Sequence, residues 1–191
     1  MKKYGVIYAD PPYSYRVWSE KGKGRCAENH YPTMPIEQIC ALPVADLADR
    51  DCALFLWATY PNLQEAFEVI RAWSFEYKTV AFTWVKTCRK SEDWHIGMGH
   101  YTRANAEICL LATKGSLKRI SKSVRQLIVS PIERHSKKPD VTRDRIVQLF
   151  GDVPRIELFA RQRANGWDAW GNETQTDIIL KGDHFYANNE H

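Results

Sequence analysis

Residues 10–13 read Asp-Pro-Pro-Tyr, directly after the apolar run Tyr-Gly-Val-Ile-Tyr-Ala at 4–9. Packing gives no reason for an acid and two prolines to follow a strand. Chemistry does. At the carboxyl end of a strand, Asp10 sits where open α/β sheets bind ligands. Pro11 and Pro12 fix their own φ angles and push the preceding residues into extended backbone, which aims the Asp10 carboxylate and the Pro11 carbonyl at one point. Two converging acceptors match the two N–H donors of an amino group on an aromatic ring. Its nitrogen lone pair is delocalised and poorly nucleophilic, and holding both hydrogens away from the ring plane favours a tetrahedral nitrogen that can react. Tyr13 could then lie flat on that ring, a contact worth about 1–3 kcal/mol. The alternative is that Asp10 caps a turn while Tyr13 and Tyr15 pack.

These residues need a frame. Residues 4–9 and 52–59 (CALFLWAT) have the continuous apolar character of strands covered on both faces, as parallel strands are. After Pro61, the spacing of Leu63, Ala66, Phe67, Ile70 and Trp73 predicts an amphipathic helix. Strands are expected at 77–86, 106–113 and 155–160. A helix with Pro139 at its start, Ile146, Leu149 and Phe150 on one face and Gly151 as its stop precedes the last of them. The alternation predicts a single α/β domain over residues 1–175 with a mostly parallel central sheet flanked by helices, and a tail over 176–191. Long glycine-bearing polar stretches at 14–30 and 87–105, and a basic stretch at 115–134, interrupt the pattern. Such loops in a compact domain are functional or disordered.

The chain has 191 residues, 44% hydrophobic and 26% charged, with a formal charge of +4, the balance of an ordinary globular protein. No apolar run approaches a membrane span and no signal peptide is evident, so a cytoplasmic protein with no membrane contact is expected. Five scattered cysteines lack metal-site spacing, which predicts reduced thiols and no metal. Phosphate-loop, nucleophile-elbow and zinc-protease motifs are absent. Between Glu107 and Glu133 there is no acid, while Lys114, Lys118, Arg119, Lys122 and Arg125 fall there. That segment suits phosphate contact, or is a solvated face.

Together with HYPTM (30–34), LFLWAT (54–59), TWVKT (83–87), GHYTRANAEICLLATKG (99–115), HSKKPD (135–140) and IELFARQRANGWDAWGNE (156–173), the Asp-Pro-Pro-Tyr stretch resembles the MT-A70 family of adenine-N6 methyltransferases. The likeness is colinear from about residue 4 to residue 174. It implies a Rossmann-like methyltransferase fold whose catalytic tetrapeptide precedes the half that binds S-adenosyl-L-methionine. By position it implies an amino-group clamp of Asp10, Pro11, Pro12 and Tyr13. It further implies Lys138 beside the cofactor's carboxylate, with Asp10, Phe159, Arg161, Arg163, Asn172 and Glu173 around the rest of that cofactor. Tyr31 and Thr33 would border the substrate cavity. Glu107 is a candidate for holding a substrate loop, a surface salt bridge being an equal account. In this sequence only nine residues precede Asp10, and no glycine-rich cofactor loop is evident, two departures from the wider pattern.

The expected reaction is methyl transfer to adenine N6 in DNA, with the base extruded from the duplex. Lys21, Lys23, Arg25, Lys118, Arg119 and Lys122 would grip the phosphates. The compact form resembles bacterial and phage members, which favours DNA. The same chemistry on RNA, cytosine N4 as acceptor, or a non-catalytic nucleic-acid-binding subunit remain as alternatives, and a monomer and a homodimer are equally compatible with the sequence.

Overall fold

The computed structural model describes residues 2–14, 33–133 and 137–180. Tyr31, Lys21, Lys23 and Arg25 lie outside the described residues. Seven strands form one sheet: β1 (Tyr4–Ala9), β2 (Ala48–Ala58), β3 (Glu76–Thr87), β4 (Glu107–Lys114), β5 (Leu127–Pro131), β6 (Arg155–Leu158) and β7 (Asp168–Trp170), in the order β5-β3-β4-β2-β1-β6-β7. Pairings are parallel except that β4 runs against both β2 and β3. The result is the mostly parallel α/β sheet that the alternation predicts, in keeping with the Rossmann-like fold that the resemblance implies.

The five expected strands are present with ends shifted by up to four residues. β5, β7 and the six-residue helix α1 (Ile36–Ala41) are additions. β5 falls within the basic stretch that the sequence presents as loop.

Every residue of β1 is buried, because the sheet is covered on both faces. Ile7, Leu54, Leu56 and Leu110 pack under α1 and α2 (Leu63–Ala72), and Trp73 Nε1, just past α2, donates to the Ile39 carbonyl at 2.9 Å, tying the two helices together. On the other face Val6, Tyr8, Phe55, Trp57 and Trp84 pack with Ile146 and Phe150 of α3 (Val141–Phe150). Past residue 175, Asp177 accepts from the Ala169 N–H, and Leu180 is buried. No described helix is long and apolar enough to cross a membrane.

The sheet's carboxyl edge is where the chain's chemistry converges. β1 pairs with β2 on one side and with β6 on the other, so the chain leaves β1 in one direction and returns on its opposite flank. In open α/β sheets the carboxyl edge beside such a reversal is where ligands bind, and Asp10 is the first residue beyond β1. α3 is clamped to this frame by Arg143, whose Nε and Nη2 donate to the two Glu157 oxygens of β6 at 2.6 and 2.8 Å. The forked geometry fixes both register and angle. Both side chains are largely buried. Arg143→Ala should therefore strand the Glu157 carboxylate, whose pKa burial already pushes up, and cost about 3 kcal/mol of stability. A denaturant titration checks this, and a midpoint equal to wild type would show the clamp to be dispensable.

Candidate active site

Asp10 follows Ala9, which pairs with Leu56 of β2 and Leu158 of β6, so the carboxylate stands between the ends of three adjacent strands. The turn beyond it is tight. The Tyr13 N–H donates to the Pro11 carbonyl at 2.9 Å, and the Met34 N–H to the Pro12 carbonyl at 2.8 Å. The Pro11 oxygen therefore already accepts one bond and retains one lone pair for a ligand. Tyr13 is 7% exposed and part of the core cluster, so most of its ring is covered in the structure. Thr33, half-buried, lies next to Met34 at the same turn.

Lys138 Nζ donates to Asp10 Oδ2 at 2.7 Å and lies 3.3 Å from Glu107 Oε2. On its other side Glu107 accepts from Lys86 Nζ at 2.5 Å. The four charges alternate along one line, Asp10, Lys138, Glu107, Lys86, drawn from the ends of β1, β4 and β3 and from the segment before α3. Two indoles form the floor beneath it: Lys138 sits 5.7 Å over the Trp57 ring, Lys86 4.9 Å over the Trp84 ring, and the two tryptophans meet edge to face at 6.4 Å. Each ring face attracts the ammonium above it, which offsets part of the cost of removing that ammonium from water. Trp57 is itself fixed by donating its Nε1–H to Tyr8 Oη at 2.6 Å.

The electrostatics follow from this arrangement. Burial alone would raise the Glu107 carboxyl, but Lys138 and Lys86 outweigh it and hold it below the ordinary carboxylate range. Burial works to lower Lys138, yet Asp10 and Glu107 drive it well above the usual lysine value. For Asp10, burial pushes the carboxyl up and Lys138 pulls it back, leaving it raised, with Glu107 adding to the rise. About a third of its side chain (33%) still meets solvent, and Oδ1 has no partner among the described residues. One oxygen is braced and the other is left to accept.

The cofactor-side residues are brought to the same edge unevenly. Phe159, immediately after β6, is held at φ 60°, a left-handed conformation costly for a side chain of this kind. Two contacts hold it there: its ring meets Trp170 edge to face at 5.2 Å, and Ala160 N–H donates to the Trp170 carbonyl at 2.9 Å. Gly171 permits that approach, since a Cβ there would lie 2.1 Å from the Ala160 oxygen. Arg161 reaches toward Glu173, 3.5 Å away, and its charge acts on Asp10. Arg163 instead donates to Asp177 at 2.9 Å and to the Gln175 carbonyl at 3.1 Å, bracing the segment after β7. Asn172 and Glu173 are exposed beside it.

Lys118, Arg119 and Lys122 are exposed but lie away from Asp10. Their segment leaves β4 at Lys114, which pairs with Cys52 near the amino end of β2, and the Ile120 N–H bonds Leu149 at the far end of α3. The structure does not bring them to the sheet's carboxyl edge beside Asp10. Conversely, Lys86 carried no assignment from the sequence. The available signal was a charge ending an apolar strand, Thr-Trp-Val-Lys, opposite a second strand opened by Glu107. Among the described residues no group of His, Cys, Asp or Glu could hold a metal ion.

Comparison with known proteins adds to this geometry. The chain is 36% identical to the Type II methyltransferase M.MunI of Mycoplasma sp over 93% of its own length and 81% of that protein. It is 30% identical to a putative N(6)-adenosine-methyltransferase MT-A70-like protein of Medicago truncatula over 90% of its length, and 28% identical to the N(6)-adenosine-methyltransferase catalytic subunit METTL3 of Homo sapiens over 95%. It covers only 26% and 30% of those two longer proteins. The MT-A70 family profile matches residues 4–173, a span that takes in all seven strands and the entire Asp10–Lys138–Glu107–Lys86 line, and the chain belongs to that family of methyltransferases.

Proposed function

We propose that this protein transfers a methyl group from S-adenosyl-L-methionine to the N6 amino group of adenine in DNA. The observation that carries the reading is the Asp10 carboxylate at the switch point, with Oδ2 locked to Lys138 at 2.7 Å and Oδ1 open to a ligand. An amino group of adenine placed there donates one N–H to Oδ1 and the other to the remaining lone pair of the Pro11 carbonyl. Both acceptors are fixed before the substrate arrives, so little reorganisation opposes the reaction.

The residues present fit the cofactor by their chemistry. It carries a cationic sulfonium, an ammonium beside a carboxylate, a ribose diol and an adenine. The sheet's carboxyl edge offers the Asp10 carboxylate for positive charge, Glu173 with Arg161 for hydroxyls, and the bend at Phe159 to admit the nucleoside next to the sheet. When bound, the cofactor supplies an electrophilic methyl group. The protein's own part is to hold the acceptor nitrogen, exclude water with the Trp57 and Trp84 floor, and keep Asp10 ionised through Lys138. The amino nitrogen gains the methyl and gives up one proton, which leaves to solvent or to Asp10.

DNA is preferred over RNA as the polymer because the relative matched over 81% of its length is named as a Type II methyltransferase, whereas the adenosine-methyltransferase relatives have most of their length outside the match. Expression in a host free of adenine methylation, followed by mass spectrometry of nucleosides from both polymers, should give N6-methyldeoxyadenosine. Methylated adenosine in RNA alone would transfer the same chemistry to the other polymer. No methylated base in either would reject the reading.

A further inference from the structure

The 88–106 connection between β3 and β4 is an ordered arm. Thr87 bridges Trp94 and Gly97 bridges Ala104, both antiparallel. Asn105 links its two legs: the side-chain amide donates to the Lys86 carbonyl at 2.9 Å and the His95 carbonyl at 2.6 Å, and its oxygen accepts from the Lys86 N–H at 2.8 Å. The tip turns so tightly at Gly99 that a Cβ there would meet the Thr102 oxygen at 2.0 Å.

An arm built with this much backbone bonding would be expected to pack its apolar side chains, and it does not. Trp94 is 61% exposed, Ile96 72%, Met98 56% and Tyr101 94%. Trp94 and Ile96 line one cavity together, and exposed apolar side chains grouped in this way mark a surface that another molecule covers. Beneath it Val85, Trp94, His95, Ile96, Arg103 and Asn105 line an open cavity of about 340 Å³. That lies at the small end of the roughly 300–1,000 Å³ range of ligand sites, the size of a single nucleoside. Arg103 is one of these lining residues, is exposed, and has no carboxylate partner among the described residues. A flat apolar seat with one unpaired cation beside it is the complement of a nucleotide, which is a flat ring with an anionic phosphate attached. The arm's two roots are Lys86 and Glu107, the last links of the ion line that ends at Asp10.

We infer that this cavity seats a nucleobase flanking the target adenine, stacked on Trp94 with its phosphate on Arg103, and that the arm holds the strand apart beside the active site. The inference rests on the proposed action on nucleic acid and names where the neighbouring nucleotide goes. It has consequences separate from turnover. Binding of a labelled single-stranded oligodeoxynucleotide of random sequence is compared with binding of an abasic strand of equal length. Wild type should prefer the base-bearing strand, and Trp94→Ala should lose roughly 5- to 100-fold on that strand only, with Trp94→Phe recovering part of it. Arg103→Ala should weaken both strands and lower the salt dependence. Equal affinity of wild type for the two strands, or an unchanged Trp94→Ala, overturns the seat. So does a dimer seen by light scattering that Trp94→Ala dissolves while strand binding is unaffected, since the face would then be covered by a second copy. Methyl transfer by wild type on the same oligonucleotide is scored separately, so failure of the reaction and failure of the seat are told apart.

Discussion

Asp10→Asn should lower kcat by about a hundred- to a thousandfold, the loss expected when one fixed electrostatic partner of the reacting group is removed. The substitution keeps the shape of the side chain and still offers an oxygen. It removes the charge that polarises the amino group and replaces one oxygen with an NH2 that would confront either Lys138 or the substrate's own N–H. In the wild type the carboxyl is raised above its ordinary value of 3.8 because burial outweighs Lys138. Only the ionised form can accept both from Lys138 and from adenine. Activity should therefore be full above that raised value and fall as pH drops through it, so the acid limb of kcat/KM lies higher than for a solvent-exposed aspartate. In Asp10→Asn that limb should disappear along with most of the rate. A variant that keeps both wild-type turnover and the acid limb would remove Asp10 from the chemistry.

The sequence makes this centre partly legible, and the reasons for success and failure differ by element. Asp-Pro-Pro-Tyr after a fully apolar run places Asp10 at a strand end, because prolines cannot continue a ladder and the preceding residues alternate between two buried faces. The reversed direction of β4 is harder to read, although the absence of any helical pattern in 88–106 is what an antiparallel return allows and a parallel crossover does not. β7 has three residues and α1 six, too few for a period to emerge. β5 is an edge strand with Leu127 and Val129 exposed, so its alternation is hidden within the basic run around it. At the site the resemblance gathers Asp10, Lys138, Phe159, Arg161 and Glu173 at one edge. It has no means of showing that Arg163 is committed to Asp177 or that Lys86 reaches Glu107, because both are pairings of side chains distant in sequence whose only local sign is a charge at the end of an apolar segment.

Lys138 is the residue on which two accounts of the site diverge. Placed by resemblance, it would hold the carboxylate of the cofactor; in the structure it is engaged with Asp10 and Glu107. Lys138→Met keeps the length and the contact with Trp57 while removing the charge. Glu107 would still have Lys86, so the loss falls mainly on Asp10, now without its counter-ion while Glu107 still pushes its carboxyl up. Its carboxyl should rise further, carrying the acid limb of kcat/KM to higher pH and leaving less of the ionised form at neutrality. Stability should fall by about 3 kcal/mol, at the lower end for a broken buried pair because Asp10 keeps some solvent. The sign of the pH dependence follows: a carboxyl raised in the folded state binds protons more tightly there than in the unfolded chain, so the variant should gain stability as pH falls, and the deficit against wild type should shrink. Thermal melts across that range and a kcat/KM profile read both effects, and titration with S-adenosyl-L-methionine at high pH separates them from a direct cofactor contact. If cofactor affinity collapses while the acid limb stays where it was, Lys138 holds the ligand. If the limb moves and affinity on the alkaline side stays within a few fold of wild type, its work is to keep Asp10 charged, and a Lys138→Arg variant should restore most of that shift.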